Sequence, residues 1–170
     1  MGRVEIVEGD HVRGSPDADI VIIEYGDFQC PYCARAHPTL SGLRQQYGER
    51  IALVYRHLPL GMHPYAESAA EAAEAAGAQG KFWEMHDSLF EHQTQMAPAQ
   101  LPLLAQGLGL DGARFEADMA ERRHRERIRA QAQEAQSLGA SGTPSFFING
   151  ERYQGDSDRD SLTAAVERYL

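Results

Sequence analysis

A chain of 170 residues with 42% hydrophobic and 24% charged residues has the composition of one globular domain, or of one domain with an insertion. Its formal net charge of −9 and a pI near 5.2 argue against a general nucleic-acid or anionic-membrane partner. No apolar run approaches the roughly 18–20 residues that span a bilayer, so the chain is not itself expected to cross a membrane. The opening Met1-Gly2-Arg3-Val4-Glu5-Ile6-Val7-Glu8 has no long apolar core and carries acids early, unlike a signal peptide. The chain therefore reads as cytoplasmic as encoded, and as extracytoplasmic or periplasmic if a leader or upstream domain has been removed.

Val4 to Val7 reads as a short strand, and Asp10 to Asp19 as a loop turning at Gly14, Ser15 and Pro16. Ile20 to Tyr25 is a nearly continuous apolar, β-branched run, the pattern of a buried parallel strand. Glu24 interrupts it. The two cysteines of the chain follow in Cys30-Pro31-Tyr32-Cys33, and Ala34 to Tyr47 is helical, with Gly48 closing it. The cysteine pair thus falls at a strand-to-helix junction. Pro31 suits the first helical position, which makes Cys30 the N-cap and puts Cys33 one turn in. Free backbone N–H groups and the positive helix end favour a thiolate at Cys30. Cys33 is then close enough to attack a mixed disulfide formed there.

Two other uses of the pair stay open at this point. A structural disulfide would close a loop of only four residues, worth about 2 kcal/mol. A zinc site would want four ligands, and the sequence offers no second CxxC; His37, one turn on, could join.

Ile51 to His57 is another strand, which makes a strand–helix–strand unit with a right-handed crossover. After the Pro59–Pro64 loop, Tyr65 to Leu138 carries only helical signals: Ala66 to Ala76; Phe82, Met85 and Leu89; a segment opened by Ala97-Pro98 with Leu101, Leu104 and Leu108; and a last helix capped by Asp111 that runs from Phe115 to Leu138. Glu121 to Arg127 holds four arginines, read as a solvated helix face with pairs four residues apart. His57 and His63 read as loop histidines without a catalytic assignment. Gly142 to Ile148 returns to strand, Asn149-Gly150 is a hairpin turn, Glu151 to Gln154 is the antiparallel return, and Ser161 to Leu170 is a final helix. The order predicts an α/β fold: a mixed sheet flanked by helices, with an inserted helical subdomain. The boundaries are 1–63 for the first part of the sheet domain, 64–140 for the insertion and 141–170 for the second part.

Several segments in this order resemble the DsbA-like, thioredoxin-fold thiol–disulfide oxidoreductases: Glu24-Tyr25-Gly26-Asp27-Phe28-Gln29-Cys30-Pro31-Tyr32-Cys33, Arg56-His57-Leu58-Pro59-Leu60, Phe82-Trp83-Glu84-Met85-His86, and Gly142-Thr143-Pro144-Ser145-Phe146-Phe147-Ile148-Asn149-Gly150. The resemblance spans roughly residues 10–170 and implies a thioredoxin-like fold. It implies that Cys30 is the nucleophile, that Cys33 resolves, and that Glu24 is a buried acid serving Cys33, with burial raising its pKa. It implies a cis Thr143–Pro144 bond whose backbone, with Pro31 and Tyr32, receives an extended substrate. Pro-Tyr between the cysteines leaves the direction of electron transfer open between oxidase and reductase or isomerase. No organic cofactor or metal is implied. The expected partners are protein or peptide thiols and disulfides, with a redox-recycling partner that could be a membrane protein. Outside this class stand a metal-binding module using Cys30 and Cys33 with His37 or His63, and a redox-inert partner-binding domain of the kind found fused to transporters.

Overall fold

The computed structural model describes residues 3–170, and its core is a five-stranded mixed sheet in the order β1-β3-β2-β4-β5. The strands are β1 (His11–Arg13), β2 (Ile20–Gly26), β3 (Ile51–His57), β4 (Ser145–Ile148) and β5 (Glu151–Tyr153). The central β2 runs parallel to β3 and antiparallel to β4. The helices are α1 (Pro31–Tyr47), α2 (Ala66–Gly77), α3 (Phe82–Glu91), α4 (Leu101–Gly107), α5 (Gly112–Ala120), α6 (Arg125–Ser137) and α7 (Arg159–Glu167). Five of them, α2 to α6, are inserted between β3 and β4. None of the described helices is long and apolar enough to cross a membrane. This is a thioredoxin-like sheet with a helical insertion, as the sequence predicts.

Alternation along β2 divides the core, because successive side chains point to opposite faces. Ile20 and Ile22 pack with Leu53, Phe146 and Ile148 against Leu40 and Leu43 of α1 and Leu162 and Val166 of α7. Ile23 and Tyr25 pack with Val54 and Phe147 against Ala135 of α6. Glu24 shares parity with Ile20 and Ile22, so it faces the α1 side. A third cluster joins the insertion to the cysteines: Phe28, Cys30, Cys33 and Tyr55 meet the alanines of α2 and Met85, Leu89 and Phe90 of α3. The small side chains of α2 let α3 and α5 approach it closely, and nine of its twelve residues are buried.

Three local expectations need correction. Val4 to Val7 forms no strand; the Val4 N–H donates to the Gly150 carbonyl at 3.0 Å, and the first strand is the short edge β1, antiparallel to β3. Residues 97–100 form a turn, and α4 begins at Leu101. The last helix of the insertion is two helices, α5 and α6, broken at Glu121–His124 with Arg122 at φ 51°. Of the arginines there, only Arg123 pairs locally, with Asp118 and Glu121 at 3.2 and 2.6 Å. Arg122 reaches Glu67 and Glu71 of α2 at 2.8 and 2.9 Å, and Arg125 and Arg129 also reach Glu67. Cross-helix pairing outweighs a continuous backbone at this point.

Other signals hold. Asn149 and Gly150 both take positive φ, as a tight hairpin turn requires. Asp111 and Asp158 cap α5 and α7 by accepting from Arg114 N and Ser161 N.

Candidate active site

The site begins where β2 ends. Gly26 hands the chain to a turn in which the Cys30 N–H donates to the Asp27 carbonyl at 3.1 Å. Cys30 is the N-cap of α1 in extended conformation, Pro31 follows at the first helical position, and Cys33 lies inside the first turn. Both cysteines are free thiols, Cys30 3% exposed and Cys33 fully buried. Pro31 is exposed, and Tyr32 is 60% exposed with the Arg35 guanidinium over its ring. From the far end of the chain the loop before β4 comes down beside Cys30. Its Thr143–Pro144 bond is cis, and the Thr143 carbonyl lies 3.6 Å from the Cys30 sulfur.

The two thiols are set far apart in acidity. Cys30 is lowered from 9.0 to about 5, chiefly because the Cys33 thiol donates a hydrogen bond to its sulfur. Burial opposes this. The Thr143 side chain lowers the value further: its hydroxyl, buried and with no other partner, can donate to sulfur. The N–H groups of Cys33 and Tyr32 add to it, although neither closes a full capping bond on the sulfur. Cys33 is pushed well above its ordinary value, first by burial, then by its bond to Cys30 and by the nearby Glu24 charge. One thiol is thus ionised at neutral pH and the other holds its proton.

Glu24 is 5% exposed, and its Oε2 has no hydrogen-bond partner. Burial raises its pKa from 4.5 to about 8, and the Cys30 charge pushes in the same direction. A carboxyl titrating there can exchange a proton with a neighbour near neutrality.

The supporting contacts around this site were not visible in the sequence. The Asp27 side chain is fully buried and accepts from Gln29 N at 2.7 Å, Leu60 N at 2.8 Å and His63 Nδ1 at 2.7 Å. It ties the 58–64 loop to the cysteine turn, so His63 has a definite structural partner. Gln93, just past α3, donates from Nε2 to the Phe28 and Cys30 carbonyls at 2.8 and 3.0 Å. His57 shares the Glu74 Oε2 with His11, each at 2.8 Å. Only the short Gly-Asp-Phe-Gln turn hinted at Asp27; nothing local pointed to Gln93, more than sixty residues away. The one group of described residues with metal-ligand spacing is His37, His86 and Asp87. It contains neither cysteine, and Arg13 already occupies both Asp87 oxygens at 2.9 and 2.8 Å.

The thioredoxin family model matches residues 7–168. A thioredoxin-like oxidoreductase from Silicibacter pomeroyi is 31% identical, with 95% of this chain and 92% of that one covered and a TM-score of 0.84. DsbA2 of Pseudomonas aeruginosa is 27% identical, with coverage of 98% and 97% and a TM-score of 0.77. The Na(+)/H(+) antiporter NhaA 1 of Salinispora arenicola is 49% identical over 158 residues, which is 92% of this chain and 24% of that protein. The chain spans about a quarter of the length of the curated relatives it matches. The chain belongs to the thioredoxin family, among its DsbA-like thiol–disulfide oxidoreductases.

Proposed function

We propose that the chain is an oxidase that passes a Cys30–Cys33 disulfide to protein thiols. A substrate thiolate attacks the Cys30 sulfur, the Cys30–Cys33 bond breaks, and Cys33 leaves as a thiolate. Glu24, protonated at neutral pH with a pKa of about 8, gives Cys33 its proton. A second substrate thiolate then attacks the substrate sulfur of the mixed disulfide and expels Cys30. The substrate is oxidised, and its two electrons remain on the two cysteines. Run backwards, the same steps make Cys33 the resolving thiol and Glu24 its base. Thr143 and Pro144 offer their backbone to the extended substrate beside Cys30, with Pro31 and Tyr32 on the exposed side.

The observation that carries this reading is the acidity of Cys30, about 5. A stable thiolate is a good leaving group, and it stabilises the reduced protein. At about pH 7 it is worth about 3 kcal/mol relative to an ordinary thiol, or about 60 mV toward oxidant. An oxidase of this type works where disulfides persist, outside a reducing cytosol, and needs a recycling partner. The 64–140 segment is then a subdomain that overlies the cysteines and shapes substrate access.

Cys33→Ala tests the assignment. Mixed disulfides should accumulate through Cys30 because resolution is gone. Trapping that persists in Cys30→Ala and needs Cys33 would contradict it. The antiporter-named relatives favour a second reading, a domain joined to a membrane protein that binds a partner without turning over disulfides. Tight binding of a disulfide peptide with no exchange would favour that alternative.

A further inference from the structure

Tyr55 lies on β3 directly beside Glu24 of β2, its register partner in the parallel pair. The ring packs against Phe28 and His86, with centroids 4.9 and 4.8 Å apart. Its hydroxyl is buried without a hydrogen-bond partner, and so is Glu24 Oε2. Buried polar atoms are normally paired. These two oxygens approach each other beside Gly26: a side-chain carbon added at that glycine would meet the Tyr55 hydroxyl at 2.8 Å and Glu24 Oε2 at 2.9 Å. Both residues also line a cavity of about 10 Å³, room for the centre of about one water molecule. That cavity runs out past His37, Ser41, Arg13 and Trp83, and the Thr143–Pro144 loop contributes nothing to it.

We propose that Tyr55 is a positioning residue for the Glu24 proton. Its hydroxyl holds a water against Glu24 Oε2, and that water carries the proton between Glu24 and solvent through the cavity, away from the substrate face. The inference rests on the reading of Glu24 as the acid–base partner of Cys33. When Cys33 resolves a mixed disulfide, its thiol proton passes to the Glu24 carboxylate. The Cys33 sulfur bonds to Cys30, the bond from Cys30 to the substrate breaks, and the substrate leaves as a thiolate. Glu24 then returns to the carboxylate by passing its proton to the water, with the substrate face still covered.

The surrounding charges suit Tyr55 to remain a donor. Its pKa is pushed well above the ordinary value, first by burial and then by Glu24, Cys33, Asp27 and Cys30. His86, kept neutral by burial with a pKa of about 4, and His57, held on Glu74, edge its ring. From β4 it is Phe146, which does not titrate, that stands opposite Glu24. Toward the mouth of the cavity, Arg13 and His37 lie near Asp87. A donor that reaches a carboxylate through water favours the charged form, so loss of the hydroxyl should raise the Glu24 pKa.

Tyr55→Phe keeps the ring and removes one unpartnered oxygen. In the full chain, the rate at which Cys33 resolves a preformed Cys30 mixed disulfide is followed from acidic to alkaline pH, beside Glu24→Gln. The rising limb should move up by about one unit in Tyr55→Phe, the worth of about one hydrogen bond. Resolution should slow about tenfold at about pH 7, while the Cys30 thiolate titration stays unchanged. A wild-type profile in Tyr55→Phe with a displaced one in Glu24→Gln overturns this inference and leaves the Glu24 reading standing. A Tyr55→Phe protein whose rate falls equally at every pH has only a structural tyrosine and also overturns it. A wild-type profile in Glu24→Gln overturns both.

Discussion

Glu24→Gln should make the reduced protein more stable, because the native fold holds a carboxyl that prefers its proton. The folded pKa of about 8 lies above the ordinary 4.5. Between those values the folded chain keeps a proton that the unfolded chain has released, so wild-type stability falls as pH rises. The loss is about 1.4 kcal/mol per pH unit, or about 3 kcal/mol between pH 4.5 and about pH 7. Glutamine carries no such proton and escapes the loss. Urea unfolding of both proteins under reductant should give similar stabilities near pH 4.5. At about pH 7 the variant should be ahead by about 3 kcal/mol. Comparing the two proteins cancels most of the Cys30 titration, which they share. In the oxidised pair the gap should shrink, because the Cys30 charge that helps to raise Glu24 is gone. Parallel stability curves across this range would refute the reasoning and would mean that burial does not raise the Glu24 pKa.

Gln93→Ala strips the shared donor from the Phe28 and Cys30 carbonyls; it should cost about 1–2 kcal/mol in urea unfolding. It should also shift the thiolate titration of Cys30, followed by ultraviolet absorbance. Glu74→Gln leaves His11, His57 and Arg127 without their shared carboxylate and should cost about 3 kcal/mol at about pH 7. The folded pKa of Glu74 is depressed below its ordinary 4.5, so this stabilisation is present above 4.5 and is lost as pH falls. The gap between wild type and Glu74→Gln should therefore close in acid, which thermal melts against pH would record.

The legible parts of this molecule were those in which local pattern and tertiary structure agree. Ile20 to Tyr25 is apolar at every position but Glu24 because β2 is covered on both faces, and Cys30-Pro31 carries its own helix start. Glu24 stood out as an acid in that run, and Asn149-Gly150 fixed the hairpin without help from the rest of the chain. The short β1 escaped because only Val12 in it is apolar, and its pairing with Val54 is made by backbone at the sheet edge. The break at Arg122 escaped because an arginine-rich run favours helix locally, while Glu67 and Glu71 of α2 set the real geometry. Asp27, Gln93 and Tyr55 serve the site through contacts that only folding assembles.

The redox equilibrium of the Cys30–Cys33 pair with glutathione at about pH 7 is the most direct test of the oxidase reading. Stabilisation of the reduced form by the Cys30 thiolate predicts a potential above about −200 mV, on the oxidising side of the glutathione couples of a reducing compartment. A potential near about −270 mV, in the range of a thioredoxin reductant, would contradict it and assign the same site to disulfide reduction.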